Sequence, residues 1–395
     1  MKNFLFFVLV FIFFILSFFI IGEKQDDLYE QERSNLEKKA VFFSYIEIEK
    51  YFYNKSTKAS KNNIIKILDN LVNNNFNVLI LHVVSFSDSI YPSVIYPISN
   101  KVKYKNKEPE YDILKYFIEE AKKRKIEIHA WINPYRISGD VDLNKIKENH
   151  PSFKLIDNGC VKAVKNKGIY YSPGCKEVNE LIVSGVKEIV SKYEIDGIHF
   201  DDYFYPDNEI DLDKYNEYVE KGGKLTLEEY RYENVLSLIK NVYTKIKRIN
   251  KDIVFGISPE GNIDNNYNNH YLDIRKILSE TGYVDYIMPQ IYFGFENSNK
   301  PFIDTLKTWN NLIKNKNIKL LPALAFYKSG SLDKYAGNGK NEWLENSDII
   351  KRQIIESRNI DNYYGFSLFR YDYIFNVDKQ NDHMKKEFNN LKDII

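Results

Sequence analysis

The chain has no strong charge of either sign and very little cysteine. Its 56 basic and 55 acidic side chains give 395 residues a formal net charge of +1. A surface without a basic field does not attract a phosphate backbone, so we expect no nucleic-acid partner. The two cysteines form no CxxC motif, and no cluster of His and Cys has the spacing of zinc ligands. We therefore expect neither a metal site nor a cofactor.

The two cysteines, Cys160 and Cys175, leave two interpretations open. Outside the cytoplasm they could form a disulfide that closes a short excursion of the chain, which also contains several glycines and a proline. Two separate free thiols are the alternative.

The N-terminus carries the longest apolar run. From Phe4 to Ile21 it is almost uninterrupted Phe, Ile, Leu and Val, and this length approaches the ~20 residues that cross a bilayer as a helix. The end of the run lacks the small residues of a signal-peptidase site. We expect residues 1–22 to be a signal-anchor helix that holds an extracytoplasmic protein to the membrane, with a cleaved signal as the alternative. Residues 23–39 are expected to be a polar stalk.

Strand-like and helix-like segments alternate from residue 40 to residue 375. We expect eight strands, at 41–48, 77–84, 125–132, within the motif at 196–206, and at 253–258, 284–292, 319–327 and 364–369. Eight strands with helices between them predict an α/β fold, a (β/α)8 TIM barrel with elaborated βα loops, followed by a helical tail at 376–395. A doubly wound sheet is the alternative, but no glycine-rich dinucleotide turn follows the first strand.

The fourth expected strand ends in two adjacent carboxylates, Asp201 and Asp202. Because side chains alternate along a strand, Asp201 should point into the barrel together with His199. Carboxylates at the carboxyl end of a barrel strand are placed for catalysis. Two plainer interpretations stay open, since Asp202 could hydrogen-bond only to the turn that follows it and His199 could fill the core.

The other strand ends supply a second carboxylate and many polar and aromatic groups. Glu260 follows the adjacent fifth strand and could act as the catalytic partner of Asp201, although it could also be a solvated turn residue. The expected substrate-binding residues are Glu47, Asp88, Tyr91, Trp131, Asn133, Tyr135, Arg136, His199, Tyr203, Gln290 and Tyr292. Amides, Arg and aromatic faces suit a sugar chain, and two carboxylates can cleave a glycosidic bond. Trp131 could instead be a packing residue.

Four motifs together resemble glycosyl-hydrolase-like family 10, a group of TIM-barrel proteins of bacterial envelopes. They are His129-Ala-Trp-Ile-Asn-Pro-Tyr-Arg136, Asp196-Gly-Ile-His-Phe-Asp-Asp-Tyr-Phe-Tyr-Pro206, Phe255-Gly-Ile-Ser-Pro259 and Asp285-Tyr-Ile-Met-Pro-Gln-Ile-Tyr292. The resemblance spans about residues 40 to 375 and implies a barrel, a glycan substrate and roles for Asp201 and Asp202.

The chain departs from the family pattern at three places. It has His82-Val-Val84 where many members carry Gln and Arg at the end of the second strand. It has Tyr230-Arg-Tyr-Glu-Asn234 where a Trp-Arg-Arg run is usual, so one Arg remains. Family members often have an apolar residue where this chain has Glu260, which weakens Glu260 as a shared catalytic acid.

The function expected from the sequence is an extracytoplasmic glycoside hydrolase that acts on a cell-envelope or extracellular polysaccharide. The alternative is a barrel that binds glycan without cleaving it. A weaker third hypothesis is a metal-dependent deacetylase that uses His199, Asp201 and Asp202.

Overall fold

The computed structural model describes residues 36–201 and 204–395. The predicted membrane segment 1–22 and residues 23–35 of the predicted stalk lie outside the described residues, as do Asp202 and Tyr203. In the described part of the chain, no helix combines the length and the apolar character needed to cross a bilayer. Residues Lys38–Ile395 form one compact unit.

Nine strands of the described chain form a parallel sheet, and three more form a small antiparallel sheet. In chain order the strands are β1 (Lys38–Phe43), β2 (Val78–Val84), β3 (Glu127–Ile132), β4 (Arg136–Ser138), β5 (Val161–Val164), β6 (Gly168–Tyr171), β7 (Gly197–Phe200), β8 (Val254–Ile257), β9 (Tyr286–Ile287), β10 (Lys319–Leu320), β11 (Ala323–Leu324) and β12 (Gly365–Leu368).

The parallel sheet curls round, so that its two edge strands, β10 and β11, are consecutive in the chain. Its order is β10-β9-β8-β7-β3-β2-β1-β12-β11. The end strands β10 and β11 are separated only by Leu321 and Pro322, and they pair in parallel with β9 and β12 respectively. The protein therefore has a mixed α/β fold with a curled parallel sheet of the TIM type.

Helices connect most of the parallel strands. They are α1 (Tyr45–Phe52), α2 (Thr57–Val72), α3 (Ile113–Lys123), α4 (Lys176–Lys192), α5 (Leu212–Glu220), α6 (Leu227–Ile249), α7 (Ile263–Asn268), α8 (Ile274–Ser279), α9 (Phe302–Leu312), α10 (Glu342–Glu345), α11 (Ile349–Ser357), α12 (Tyr371–Phe375) and α13 (Asp382–Lys392). Apolar residues of these helices pack on the outer face of the sheet in one large core.

Three predicted strands were too long, and each has a local cause. The expected first strand, 41–48, ends at Phe43 because Ser44 and Glu47 form a capping box that starts α1. The expected strands 284–292 and 319–327 shrink to short pieces interrupted near Pro289 and Pro322. Proline has no N–H to donate to a neighbouring strand, so regular pairing stops there.

The long connection after β3 folds into the small antiparallel sheet, with the order β4-β6-β5. Cys160, just before β5, is bonded to Cys175, which caps α4. The disulfide therefore joins this insertion to the helix that returns to β7.

The inside of the curled sheet holds a second, smaller core. Phe42, Ile80, Trp131 and Tyr286 belong to it, so Trp131 is a packing residue of the interior. Gly256 makes room for the Tyr286 ring, since a Cβ atom at this position would lie 2.1 Å from ring carbons. The interior is thus filled by large side chains, and open space is left to the carboxyl ends of the strands.

Candidate active site

Asp201 stands at the carboxyl end of β7 and is only 4% exposed. The neighbouring strand β3 pairs Trp131 with His199 and thereby brings the indole to the level of this carboxylate. The indole Nε1 of Trp131 donates a hydrogen bond to Oδ2 of Asp201 at 3.3 Å. A donor of this kind stabilises the ionised form of a carboxylate. Asp201 is therefore a buried carboxylate held in a fixed position at the mouth of the sheet.

A buried pair of stacked aromatic rings adjoins this carboxylate. The rings of His82 and Trp131 stack with centroids 3.8 Å apart and an interplanar angle of 13°. Burial and the positive charge of Arg136 together lower the pKa of His82 to about 3. His82 is thus neutral at physiological pH, and its uncharged ring lies against the face of the indole.

Beneath Asp201, a chain of buried polar groups runs through the interior. The Tyr286 hydroxyl lies 2.9 Å from Nδ1 of both His129 and His199. Nε2 of His199 lies 2.9 Å from the Ser258 hydroxyl. A hydroxyl carries one proton, so Tyr286 donates to one imidazole and accepts from the other, which fixes a different tautomer on each ring. The network locks His199 directly below the mouth.

A cluster of aromatic and cationic side chains forms the rim on the β1–β3 side. The Tyr45 and Phe86 rings meet edge to face at 5.0 Å. The guanidinium of Arg136 lies over both, 4.6 Å from the Phe86 centroid and 5.8 Å from that of Tyr45. In the antiparallel sheet, Arg136 pairs with Tyr170. Burial raises the pKa of Tyr170, the positive charge of Arg136 opposes this rise, and the carboxylate of Asp201 adds to it.

Asn133 continues the inward-facing row of β3 past Trp131. Its side chain is buried, and its Oδ1 has no hydrogen-bond partner among residues 36–201 and 204–395. A buried acceptor without a partner carries a desolvation cost that a ligand hydroxyl could remove. Asn133 is therefore the described residue best placed to accept a hydrogen bond from a sugar at this mouth.

On the opposite side, loops after β8, β9 and β11 enclose a cleft of about 490 Å³. Glu260 lines it, accepting hydrogen bonds from Asn265 at 2.7 Å and from His270 at 3.2 Å. The hydrogen bond from His270 lowers the pKa of Glu260, against the effect of partial burial. A carboxyl group with a lowered pKa is ionised at neutral pH and is a poor proton donor. The predicted binding residues Gln290 and Tyr292 line the same cleft.

The family model that describes glycosyl hydrolase-like 10 matches residues 38–338. The chain belongs to the glycosyl hydrolase-like 10 family. It is 34% identical over 328 residues to the glycosyl hydrolase YngK of Bacillus subtilis, an alignment that covers 78% of this chain and 62% of that protein. It is 31% identical over 336 residues to the glycosyl hydrolase DigH of Escherichia coli K12, covering 79% of this chain and 75% of that protein.

A solved structure confirms the fold of this family member. The glycoside hydrolase domain of PgaB (BpsB) from Bordetella bronchiseptica superposes with a TM-score of 0.59 at 11% identity. The superposition covers 90% of this chain and 99% of that domain. This likeness supports a TIM-like scaffold for the chain.

Several residues that the sequence predicted for binding are enclosed in this glycosyl hydrolase-like 10 protein. Glu47 accepts hydrogen bonds from Ser44 and forms an ion pair with Arg370. Tyr91 packs against Tyr193 in the outer core. Tyr135 also belongs to that core, and His199 is fully buried in the network described above. The structure does not bring these side chains to an open surface.

Asp88 has a local structural role. It accepts a hydrogen bond from the backbone N–H of Phe86 at 3.0 Å and another from the Ser85 hydroxyl at 3.2 Å. Both donors precede Asp88 in the chain, and the two bonds hold the loop that carries Phe86. Asp202 and Tyr203, predicted as a catalytic and a binding residue, fall outside the described residues.

The loop after Asp201 is clamped by a buried ion pair. Nε of Arg231, from α6, lies 3.1 Å from both carboxylate oxygens of Asp211. The same guanidinium donates to the Asn208 carbonyl and to the Tyr271 hydroxyl. Arg231 is the arginine that this chain keeps where the sequence comparison set Tyr230-Arg-Tyr-Glu-Asn234 against a Trp-Arg-Arg run. Its contacts with Asp211, Asn208 and Tyr271 give it a structural role at this position.

The structure gives little support to a metal centre in the described part of the chain. Both ring nitrogens of His199 already face hydroxyls at 2.9 Å, so a metal would have to displace one of them. Within residues 36–201 and 204–395, the one group of three potential ligands is Cys160, Cys175 and Glu177. Its two cysteines are consumed by the disulfide.

Sequence reasoning missed four residues of the mouth. They are His82, Tyr45, Phe86 and Tyr170. His82 could have been found, because it shares the inward parity of Val78 and Ile80 on a continuous apolar strand. Tyr45 and Phe86 each follow the end of a strand. Tyr170 reaches the site through antiparallel pairing with Arg136 across 34 residues, and no local pattern encodes that register.

Proposed function

We propose that this chain is an O-glycoside hydrolase that cleaves a polysaccharide of the cell envelope or the extracellular space. The observation that carries the proposal is the buried carboxylate of Asp201, held by the Trp131 indole, which is itself stacked on His82. Membership of the glycosyl hydrolase-like 10 family supports the glycosidic bond as its target. Aromatic planes beside a fixed carboxylate suit a pyranose whose anomeric carbon approaches that group.

In the proposed reaction, Asp201 works as an ionised carboxylate. It either attacks the anomeric carbon or takes a proton from the attacking water, while a second carboxylic acid protonates the leaving glycosidic oxygen. The net result is the addition of one water and the formation of one new reducing end. We assign the acid to Asp202, since the lowered pKa of Glu260 makes Glu260 unsuited to donate a proton at neutral pH.

We propose an extracytoplasmic location for this activity. The apolar sequence of residues 1–22 supports a signal-anchor, and the Cys160–Cys175 bond is in keeping with an oxidising compartment. Protease treatment of intact cells tests the location. The proposal requires residues 38–395 to be digested while a cytoplasmic marker protein survives, and protection of both proteins would contradict it.

One observation favours the second candidate, a barrel that binds glycan without cleaving it. The end of the second strand carries His82-Val-Val84 where many family members carry Gln and, two positions on, Arg. Apolar Val84 thus stands where those members have a cation, and the site loses that electrostatic stabilisation of a reaction. The two candidates differ in product, because only a hydrolase releases new reducing ends.

The test is reducing-end release from a panel of cell-wall and extracellular polysaccharides, measured for the wild type and three matched variants. We expect Asp201→Asn and Asp202→Asn to abolish release, while Glu260→Gln keeps a measurable rate. Saccharide binding without release by the wild type would establish the second candidate. Full loss in Glu260→Gln with normal rates in Asp202→Asn would reassign the acid.

A further inference from the structure

The cleft of about 490 Å³ lies beside the candidate centre and separate from it. Its walls are the loops at residues 260–265, 290–300 and 328–335, and Asp201 is not among its lining residues. The wall that includes Glu260 nevertheless follows β8, the strand next to the one that ends at Asp201. The two strand ends are joined by a hydrogen bond from the Ser258 N–H to the Phe200 carbonyl at 2.9 Å. A chain molecule bound at Asp201 could therefore continue into the cleft.

From this placement we infer that the cleft is a second sugar subsite, which binds an uncharged pyranose of the same glycan chain with Tyr335 as its stacking platform. The inference rests on the proposed function and deepens it, since it defines the substrate as an extended chain whose neighbouring units are neutral.

Tyr335 is the first support for this subsite. It lines the cleft and is 89% exposed. A single exposed aromatic needs no explanation on an ordinary surface, but this one borders a concave polar site. Tyr292 lines the same cleft and is braced by the Tyr327 and Phe369 rings. An aromatic face with a polar tip can cover the apolar face of a pyranose while hydrogen-bonding its hydroxyls.

The amide groups of the cleft supply the second support. Gln290 donates through Nε2 to the Ser258 carbonyl at 2.9 Å, so its Oε1 is the atom suited to accept from a ligand. Asn297 is buried and uses Oδ1 to accept from the backbone N–H groups of Asn299 and Lys300, so its NH2 is the atom suited to donate. Sugar hydroxyl and acetamido groups require both functions.

The charged side chains of the cleft are the third support, because they bear on the charge of the sugar that could bind there. Lys328 pairs with Asp333 at 2.7 Å, and Lys300 pairs with Asp264 at 3.0 Å. Glu260 is bound by Asn265 and His270. A charged sugar would have to compete with one of these partners, and an unpaired charge in a half-enclosed site is costly. The lining therefore favours a sugar with hydroxyl or acetamido groups over a uronate or an amino sugar.

Calorimetric binding to the Asp201→Asn protein tests the subsite without turnover. The probes are neutral cello-oligosaccharides and N-acetylated chito-oligosaccharides of two to eight units, together with oligogalacturonides and chitosan oligomers. We expect at least one neutral series to bind with affinity that rises with chain length, and the charged series to bind more weakly. Adding Tyr335→Ala should weaken the longest neutral members by about tenfold and remove most of the length dependence.

Tyr53→Ala is the matched control, because it removes a tyrosine that is 51% exposed and lies outside the cleft lining. It should bind like its parent. The inference is overturned if Tyr335→Ala matches Tyr53→Ala, if affinity does not depend on length, or if charged oligomers bind best. These outcomes are separate from the proposed function. Length-dependent binding through Tyr335 with no reducing ends from the wild type would support the subsite and contradict the hydrolase. Release of reducing ends with no length-dependent binding through Tyr335 would support the hydrolase and contradict the subsite.

Discussion

The indole N–H of Trp131 donates to the carboxylate of Asp201 at 3.3 Å, joining adjacent strands at the mouth of the sheet. This bond links the two features from which the function is inferred. In the proposed function the carboxylate supplies the chemistry, and the indole, stacked on His82, holds that carboxylate in place. The single contact therefore fixes the position of the proposed reactive group.

Trp131→Phe should lower kcat by roughly tenfold, because a hydrogen bond to a charged group contributes about 1.5–3 kcal/mol and phenylalanine keeps only the stacking surface. KM should change less. Trp343→Phe is the matched control, since the buried Nε1 of Trp343 has no hydrogen-bond partner in the described part of the chain. Steady-state kinetics of both variants give the comparison, and equal kcat values for the two would show that the bond has no catalytic consequence.

The Arg231–Asp211 pair should stabilise the loop that follows Asp201. Arg231→Met leaves the buried Asp211 carboxylate without its partner, and breaking such a pair costs about 3–5 kcal/mol. Adding Asp211→Leu removes the stranded charge and should recover most of that loss. Chemical denaturation measures the free energy of unfolding for both proteins. A double variant no more stable than Arg231→Met would argue against the assigned charge pairing.

The disulfide between Cys160 and Cys175 spans 15 residues. Closing a loop of this length stabilises a protein by about 3 kcal/mol in the chain-entropy description. Replacing both cysteines with serine should lower the free energy of unfolding by about that amount. Activity should also fall, because the insertion presents Arg136 and Tyr170 at the mouth. An unchanged unfolding curve with and without reductant would contradict the bonded state.

Glu387 should make stability depend on pH. Its carboxylate accepts from the backbone N–H groups of Ile349, Ile350 and Lys351 at the start of α11, yet burial raises its pKa to about 7 from an ordinary 4.5. Between these two values the folded protein holds a proton that the unfolded chain releases. The contribution of this group is therefore fully present below about pH 4.5 and is lost as pH rises towards 7.

The measurement compares wild type with Glu387→Gln in thermal or chemical unfolding from pH 4.5 to 8. The stability of the wild type relative to the variant should fall by at most about 1.4 kcal/mol per pH unit across the window, and then level off. Exposed Glu345→Gln controls for the loss of one charge. A difference between wild type and Glu387→Gln that stays constant with pH would refute the prediction.

Much of the scaffold could be predicted because its signals are local. Alternating strands and helices indicated the barrel type, and the capping box of Thr226 and Glu229 at the start of α6 is a signal of the same local kind. The inward parity of His199 followed from the two-residue period of a strand. The Ser44–Glu47 capping box was equally local, and recognising it would have ended the first strand correctly and shown that Glu47 is structural.

The remaining parts of the site depend on tertiary packing. Arg136 and Tyr170 meet only through the register of an antiparallel insertion. Whether Tyr91 and Tyr135 would be enclosed and Tyr335 exposed depends on how long loops fold over the sheet, and all three look alike as tyrosines near turns. The lowered pKa of Glu260 likewise arises from His270, ten residues further along the chain. No periodic pattern reports such contacts.

The most direct test of the account is the rate at which wild type and Asp201→Asn release reducing ends from one polysaccharide, with saccharide affinity measured on the same samples. Asparagine keeps the shape of the side chain and its ability to accept from Trp131, but it cannot act as a nucleophile or base. We predict that the rate falls by about a thousandfold or more, while affinity stays within about threefold. Equal rates for the two proteins would contradict the central claim that Asp201 performs the chemistry.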